Sequence, residues 1–174
     1  AVEPLWRAKA EFGGPMWTLG TASYAFDGEA VVCILGKPGA WRLARIVAGG
    51  GKPYRYELPY TELGAIRVAN GRAVLVAASP TAPPALVEVD LSCGTATVLR
   101  QPSVATLDAA LVSVPRTVSF PTPRGDAHAF FYAPHNSEFS APPGEKPPLI
   151  VISHERFFDP GHCPWLGRAW LMAK

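Results

Sequence analysis

Two turn dipeptides at a fixed spacing constrain the fold of this chain more than any other feature. Asp27-Gly28 and Asn70-Gly71 each separate two short apolar, β-branched runs, and such dipeptides suit the positive φ of a type I′ hairpin turn. The offset between them is 43 residues (70 − 27), and at this offset Leu43 aligns with Leu86. A period of ~40–45 residues holding four short strands is typical of a propeller blade.

Each unit of this repeat predicts four strands joined in a meander. The first unit predicts strands over residues 21–26, 30–35, 41–47 and 54–58. The second predicts strands over residues 65–69, 72–78, 85–91 and 95–100, with a proline-rich turn over 79–84. Because propellers contain about four to eight blades, two units need further blades to close a ring. The alternative is an ordinary β-sandwich of two consecutive meanders.

Within the third strand, alternation predicts two apolar faces. Trp41, Leu43 and Val47 lie on one face, and Ala44 and Ile46 lie on the other, since successive side chains of a strand point to opposite sides. The aromatic side chains of the first unit are predicted to fill the space between blades rather than to line a binding surface; they are Trp17, Tyr24, Phe26 and Trp41.

The repeat does not continue beyond residue 100. Residues 118–120 and 127–132 predict a hairpin around a turn at 122–126, and 133–148 reads as a proline-rich surface loop. Residues 149–153 form a continuous apolar run that ends at His154, and such a run is typical of a fully buried strand.

Composition excludes several classes of protein. The net charge is +2, and the sixteen Lys and Arg residues are scattered, so nucleic-acid binding is not predicted. No run approaches the ~20 apolar residues of a membrane span, and the first residues lack the apolar core of a signal peptide. Cys33, Cys93 and Cys163 are odd in number and widely spaced, which argues against a disulfide framework. We therefore expect a cytoplasmic protein without a membrane partner.

No residue in the chain presents a convincing catalytic or metal-binding pattern. His128 is expected to face outward or to be hydrogen-bonded, and His135 to lie in a loop, whereas His162 and Cys163 supply too few ligands for a metal. A nucleophilic serine needs an adjacent base, and none is evident from the sequence beside the strand serines, which are Ser23, Ser113, Ser119 and Ser153. The sequence therefore predicts no catalytic, cofactor-binding or metal-binding residue.

Four motifs resemble the serine peptidases of the prolyl-oligopeptidase family, closest to the acylaminoacyl-peptidase and dipeptidyl-peptidase branch. They are PMWTLGTASYAF at 15–26, LVEVDLS-x-GTATVL at 86–99, AHAFFYAPHN at 127–136 and PPLIVISH at 147–154. The resemblance implies a β-propeller followed by an α/β-hydrolase domain, peptide hydrolysis by acyl transfer through a Ser-Asp-His triad, short peptides as substrates and no cofactor. It also implies that His154 is a remnant of the loop beside the oxyanion hole, whereas without the glycines of that loop the residue itself is expected to be an ordinary strand-end histidine.

The sequence departs from the family pattern after His154. Glu155-Arg156-Phe157 stands where the family has Gly-Gly-Pro, and glycines there let the backbone bend and approach a substrate carbonyl. No G-x-S-x-G elbow occurs in the 174 residues, although an α/β-hydrolase needs one for its nucleophile. We therefore expect an incomplete, inactive chain, from a truncated or frameshifted gene, with self-association through exposed strand edges.

The fold class predicted is mostly β, with two four-stranded propeller-type blades followed by the first strands of an α/β-hydrolase domain. The predicted divisions are 1–105 for the C-terminal blades, 106–154 for the beginning of the hydrolase domain and 155–174 for an unassigned tail. A non-catalytic propeller or sandwich module that works by binding remains the alternative function, since it would share the repeats.

Overall fold

A computed structural model describes residues 4–13, 19–36, 40–49, 51–102, 108–123, 125–136 and 138–152, which form three antiparallel sheets. Sheet 1 is a meander of β1 (Tyr24–Asp27), β2 (Ala30–Leu35), β3 (Arg42–Val47) and β4 (Tyr54–Tyr56). Sheet 2 is a meander of β5 (Glu62–Ala69), β6 (Arg72–Ser79), β7 (Ala82–Asp90) and β8 (Ala96–Arg100). The third sheet is the hairpin of β9 (Arg116–Thr122) and β10 (Gly125–Phe131).

The eight strands predicted from the repeat are confirmed, with different ends. β7 begins at Ala82, and the turn before it is shorter than the predicted 79–84, because Ser79 already pairs with Ala82. Between sheet 2 and the hairpin, a short 3-10 helix spans Ala109–Leu111. No helix in the described ranges is long and apolar enough to cross a membrane.

The two hairpin turns differ in type, although their dipeptides look alike. Asn70 and Gly71 both have positive φ, at 51° and 71°, as a type I′ turn requires. In sheet 1, Asp27 pairs with Ala30, so the turn residues are Gly28 and Glu29, and of these two Gly28 has the positive φ. One positive φ at the first central position is the pattern of a type II′ turn, so the type I′ prediction for the first hairpin is wrong.

Sheets 1 and 2 stack face to face around one apolar core. The core joins side chains of sheet 1, Val32, Ile34, Trp41, Leu43 and Tyr56, to those of sheet 2, which include Ile66, Ala73, Leu75, Ala77, Ala85, Val87 and Val89. Backbone hydrogen bonds also link the sheets: Ile66 N–H donates to the Ala22 carbonyl at 3.1 Å, and Trp41 N–H donates to the Thr61 carbonyl at 3.0 Å. The face of sheet 1 in this core is called its front face, and the face of sheet 2 in this core is called its rear face.

The opposite side of sheet 1, its rear face, is also partly covered. Cys33, Leu35, Ala44 and Ile46 form a second cluster, against which Trp6 and Ala10 of the N-terminal segment pack. Glu11 exchanges backbone hydrogen bonds with Gly36 and fixes this segment. The predicted two-faced pattern of β3 is therefore confirmed for Leu43, Ala44 and Ile46, whereas Val47 at the strand end is exposed.

The two sheets are equivalent in register as well as in topology. Ile34 pairs with Leu43 in sheet 1, and Val76 pairs with Leu86 in sheet 2. Leu43 lies on the front face of sheet 1, and Leu86 lies on the front face of sheet 2, opposite the rear face that carries Val87. The alignment of Leu43 with Leu86, at the predicted offset of 43 residues, therefore matches the structure. Between the equivalent residues of the preceding strands, Ile34 of β2 and Val76 of β6, the offset is 42 residues (76 − 34).

The apolar run that ends the described chain does not form the buried strand that the sequence predicts. Residues 149–152 form no strand, and Leu149 and Val151 are 74% and 80% exposed. A buried strand needs a hydrogen-bonded neighbour and cover on its faces, and the described residues place no strand beside this run. An apolar sequence alone does not supply such neighbours.

Candidate functional site

The hairpin brings one serine and one histidine together. Ser119 and His128 are directly opposite each other on β9 and β10, and Ser119 Oγ lies 2.7 Å from His128 Nδ1. The hydrogen-bonded histidine predicted at position 128 is confirmed. No base beside Ser119 was evident from the sequence, and in the structure the imidazole of its cross-strand neighbour lies within hydrogen-bonding distance.

The Ser119–His128 pair lacks the surroundings of a nucleophilic site. Both side chains are exposed, so water competes for the hydroxyl and for the imidazole. Among the described residues no acidic side chain is hydrogen-bonded to the ring, whereas a catalytic base is normally oriented by such a third group. The pair therefore joins the two strands of the hairpin, and its geometry does not make Ser119 a candidate nucleophile.

The remaining candidate residues are scattered over the chain. His135 is exposed in a loop, as predicted. Ser23 Oγ donates to the Phe12 carbonyl at 3.4 Å, and Ser113 Oγ donates to the Ala133 carbonyl beside the hairpin. Outside the described residues lie Ser153, His154, His162 and Cys163. The structure thus brings together only one pair of the candidates that it describes.

A cleft of about 300 Å³ lies between the two sheets, and sequence reasoning missed it. Its lining combines two cationic side chains with two tyrosines whose rings meet edge to face: Arg45, Val47, Lys52, Tyr54, Tyr56, Leu91 and Ser92. Asp27 holds Arg45 through contacts of 3.3 Å from Nε and from Nη2. None of these lining side chains is a carboxylate, a histidine or a cysteine, so the polar groups that they present are cationic side chains and hydroxyls.

Tyr56 forms the floor of this cleft and links the sheets. Its hydroxyl donates a buried hydrogen bond of 2.9 Å to the carbonyl of Leu91. Burial raises the pKa of Tyr56, and the positive charge of Arg45 partly opposes this effect. The signal for this contact in the sequence is weak, because Tyr54 and Tyr56 look alike in a short alternating strand.

The cysteines have contrasting environments, and neither described thiol is in a disulfide. Burial raises the pKa of Cys33 to about 11, which makes this thiol inert at neutral pH. Hydrogen bonds with Thr95, including one of 3.1 Å to its hydroxyl, lower the pKa of the exposed Cys93. In the described part of the chain, no group of three His, Cys, Asp or Glu side chains could hold a metal ion.

The aromatic side chains of sheet 1 divide between core and surface. Trp41 is buried in the core between the sheets, as predicted. Tyr24 and Phe26 are 57% and 68% exposed, so the prediction that they fill the space between blades is wrong. They lie on the rear side of the edge strand β1, opposite Cys33 and Val31, where the short N-terminal segment packs. Trp17 lies outside the described residues.

Solved structures of peptidases match most of this chain. It is similar to a Mycobacterium tuberculosis puromycin-hydrolyzing peptidase, with 31% identity over 83% of this chain and a TM-score of 0.77. It is also similar to a puromycin hydrolase, with 34% identity over 85% of this chain and a TM-score of 0.77. The chain spans 23% of the length of each of these proteins.

A more distant match shows the fold alone. The AtxE2 isopeptidase bound to astexin3-dC4 shares 18% identity over 73% of this chain, with a TM-score of 0.52, and the chain covers 19% of it. No protein-family model and no curated protein matches the sequence.

The match to puromycin hydrolase identifies the two stacked meanders as propeller-type blades. The puromycin-hydrolysing relatives confirm the resemblance read from the motifs: over most of its length this chain corresponds to part of a serine peptidase of the prolyl-oligopeptidase family.

Proposed function

We propose that these residues form part of a serine peptidase that cleaves short peptides and aminoacyl amides by acyl transfer. The observation that carries the proposal is the 34% identity and TM-score of 0.77 to puromycin hydrolase across 85% of the chain. Puromycin joins an amino acid to an aminonucleoside through an amide, so the related activity is hydrolysis of an aminoacyl amide. The unpaired thiols of Cys33 and Cys93 support a cytoplasmic location for the protein.

In this proposal the chain contributes structural elements around the active site rather than catalytic groups. Residues 1–105 supply two propeller blades, which restrict access to the active site, and residues 106–154 open the hydrolase domain. Residues 155–174 have no assigned role. The 174-residue sequence contains no G-x-S-x-G elbow, so the proposal assigns the nucleophile to none of these residues.

A chimera tests the proposal directly. The segment of the M. tuberculosis puromycin-hydrolyzing peptidase that matches this chain is replaced by residues 19–152, and release of the aminonucleoside from puromycin is measured. We expect the chimera to hydrolyse puromycin because the fold and about a third of the side chains are shared. The purified 174-residue chain should give no turnover above a buffer blank.

The controls separate folding from function. The parent peptidase gives the reference rate, and a second chimera that exchanges only residues 19–100 tests the blades without the hairpin. A chimera that unfolds cooperatively like the parent but leaves puromycin intact would overturn the proposed function. Turnover by the 174-residue chain that is lost in Ser119→Ala would instead assign the activity to the hairpin.

A further inference from the structure

The cleft between the sheets lies where the core between them ends. Leu43 and Tyr56 pair across β3 and β4 within the core. The next pair on the same face is Arg45 with Tyr54, since side chains of a strand alternate between its faces. On sheet 2, the turn after β7 contributes Leu91 and Ser92 to the lining. The cleft volume of about 300 Å³ falls at the lower end of the ~300–1,000 Å³ of small-molecule sites.

The positive charge in this cleft is only partly neutralised. Asp27 contacts Nε and Nη2 of Arg45, each at 3.3 Å, and Nη1 has no hydrogen-bond partner among the described residues. Lys52, the second cationic side chain of the lining, has no ion-pair partner in the part of the chain that the structure describes. The group of Arg45, Lys52 and Asp27 therefore carries one net positive charge and complements a monoanion.

The sheet 2 side of the cleft does not present an acidic side chain. The carboxylate of Asp90 accepts hydrogen bonds from the Ser92 N–H at 2.9 Å and from the Ser92 hydroxyl at 2.6 Å. Arg72 Nη2 also lies 3.5 Å from a carboxylate oxygen of Asp90. Asp90 is thus engaged by other groups and does not line the cleft, where sheet 2 presents the hydroxyl of Ser92 and the apolar side chain of Leu91.

Tyr54 gives the cleft an aromatic wall beside its two cations. The Tyr54 ring meets that of Tyr56 edge to face, with centroids 4.9 Å apart, yet Tyr54 is 61% exposed. Val47, which also lines the cleft, is 43% exposed. Apolar surface is therefore uncovered next to unneutralised positive charge, and aromatic rings favour offset or edge-to-face contact with a second ring. A ligand that carries both a ring and one negative charge matches this arrangement.

We propose that this cleft is a binding site for small aromatic monocarboxylates, with the carboxylate between Arg45 and Lys52 and the ring against Tyr54. Guanidinium and ammonium groups both form charge-assisted hydrogen bonds with a carboxylate. The ligand class includes free aromatic acids and peptides that end in an aromatic residue, because the two share the ring and the carboxylate. The inference is independent of the proposed peptidase activity, since it uses only contacts within and between the two sheets.

An NMR titration of the 174-residue chain with phenylacetate tests this site. We expect saturable binding with a Kd of about 10 mM or below, and the largest shifts of backbone amide signals around Lys52, Tyr54 and Ser92. Phenylacetamide is the matched control ligand, because it keeps the ring but has no charge, and should bind at least about tenfold more weakly. Acetate keeps the charge but has no ring, and should bind at least about threefold more weakly.

A parallel titration distinguishes the two sources of the ligand. N-acetylphenylalanine carries the carboxylate and the ring as the end of a peptide does. Tighter binding than that of phenylacetate would assign the site to peptide termini, and weaker binding would assign it to free aromatic acids.

Two lysine variants test the placement of the carboxylate. Lys52→Gln removes one of the two lining cations and should weaken phenylacetate binding by at least about threefold. Lys146→Gln is the matched control, since Lys146 is also exposed but does not line the cleft, and it should bind like the wild-type chain. Both replacements are on exposed side chains, so circular dichroism should show an unchanged fold. Added salt should weaken phenylacetate binding, because the charges are partly exposed.

Four outcomes would overturn the proposal. They are binding that does not saturate, equal affinity for phenylacetate and phenylacetamide, unchanged affinity in Lys52→Gln, and shifts confined to residues away from the cleft. None of these results depends on puromycin hydrolysis by the chimera, so the binding site and the proposed activity can fail separately.

Discussion

The hydroxyl of Tyr56 donates a 2.9 Å hydrogen bond to the carbonyl of Leu91, and this buried contact joins the last strand of one blade to the end of the third strand of the next. The ring of Tyr56 is 1% exposed and belongs to the core between the sheets. A backbone carbonyl at this place would otherwise be left without a partner, which is costly in a buried site. Tyr56 therefore fixes the two sheets relative to each other both by the packing of its ring in the core and by the hydrogen bond of its hydroxyl.

Removing this hydroxyl should destabilise the chain while leaving the packing in place. Tyr56→Phe keeps the ring but leaves the Leu91 carbonyl unpaired, and we expect the free energy of unfolding to fall by about 1–2 kcal/mol. Urea denaturation followed by tryptophan fluorescence measures the change. Tyr54→Phe is the matched control, since Tyr54 is exposed in the same strand and should change the free energy by less than about 0.5 kcal/mol. Equal losses in the two variants would contradict this role for the hydroxyl.

Equivalent leucines of the two blades should differ sharply in their contribution to stability. Leu43 is fully buried and Leu86 is 39% exposed, although they occupy the same position of the repeat. We expect Leu43→Ala to lower the free energy of unfolding by about 2–5 kcal/mol, because it leaves a cavity between the sheets. Leu86→Ala should cost less than about 1 kcal/mol. Chemical denaturation of the two variants gives the comparison, and similar losses would show that the face bearing Leu86 is already covered.

The blades could be predicted from the sequence because their signals are local. Turn dipeptides and alternating apolar residues lie within a few positions of the strands that they define, and a repeat gives each signal twice. This alternation correctly predicted that Leu43 is buried and that Ile46 lies on the opposite face of sheet 1. The exposure of Tyr24 and Phe26 did not, because it depends on how much chain covers the rear side of sheet 1.

The hairpin and the final apolar run show the limits of local reasoning. A turn centred within residues 122–126 would place His128 opposite Phe120, whereas the observed register pairs it with Ser119. A shift by one residue exchanges the two faces of a strand, so the Ser119–His128 contact could not be predicted. Similarly, residues 149–152 have the composition of a buried strand, but their exposure depends on neighbours that no local pattern specifies.

The type I′ turn gives a clean test of backbone conformation. Gly71 has a φ of 71°, and a Cβ built at this position would meet no atom within 4 Å. We therefore expect Gly71→Ala to lower the free energy of unfolding by about 1 kcal/mol through backbone strain alone. Gly64→Ala is the matched control, because Gly64 also has open space around it but no positive φ. Thermal unfolding by circular dichroism distinguishes the variants, and equal melting temperatures would rule out strain at the turn.

The buried thiol of Cys33 should make stability depend on pH in the alkaline range. Burial raises its pKa from 9.0 to about 11, so between these values the folded chain keeps a proton that the unfolded chain has lost. The stabilisation from the neutral thiol is complete below pH 9 and disappears as the pH rises through the folded-state value. This group alone lowers the free energy of unfolding by at most ~1.4 kcal/mol per pH unit in that window. Denaturation in urea with a reducing agent at pH 8, 9, 10 and 11 measures the fall.

The decisive comparison is between slopes rather than between absolute stabilities. Cys33→Ala leaves a small cavity and is less stable at every pH, but its stability should fall less steeply between pH 9 and pH 11, where the raised pKa of Tyr56 still contributes in the same direction. Cys93→Ala removes an exposed thiol of lowered pKa, which is charged in both states over most of this window, and should keep the steeper fall. Parallel curves for the wild-type chain and Cys33→Ala would show that the thiol is not held neutral by burial between the N-terminal segment and sheet 1.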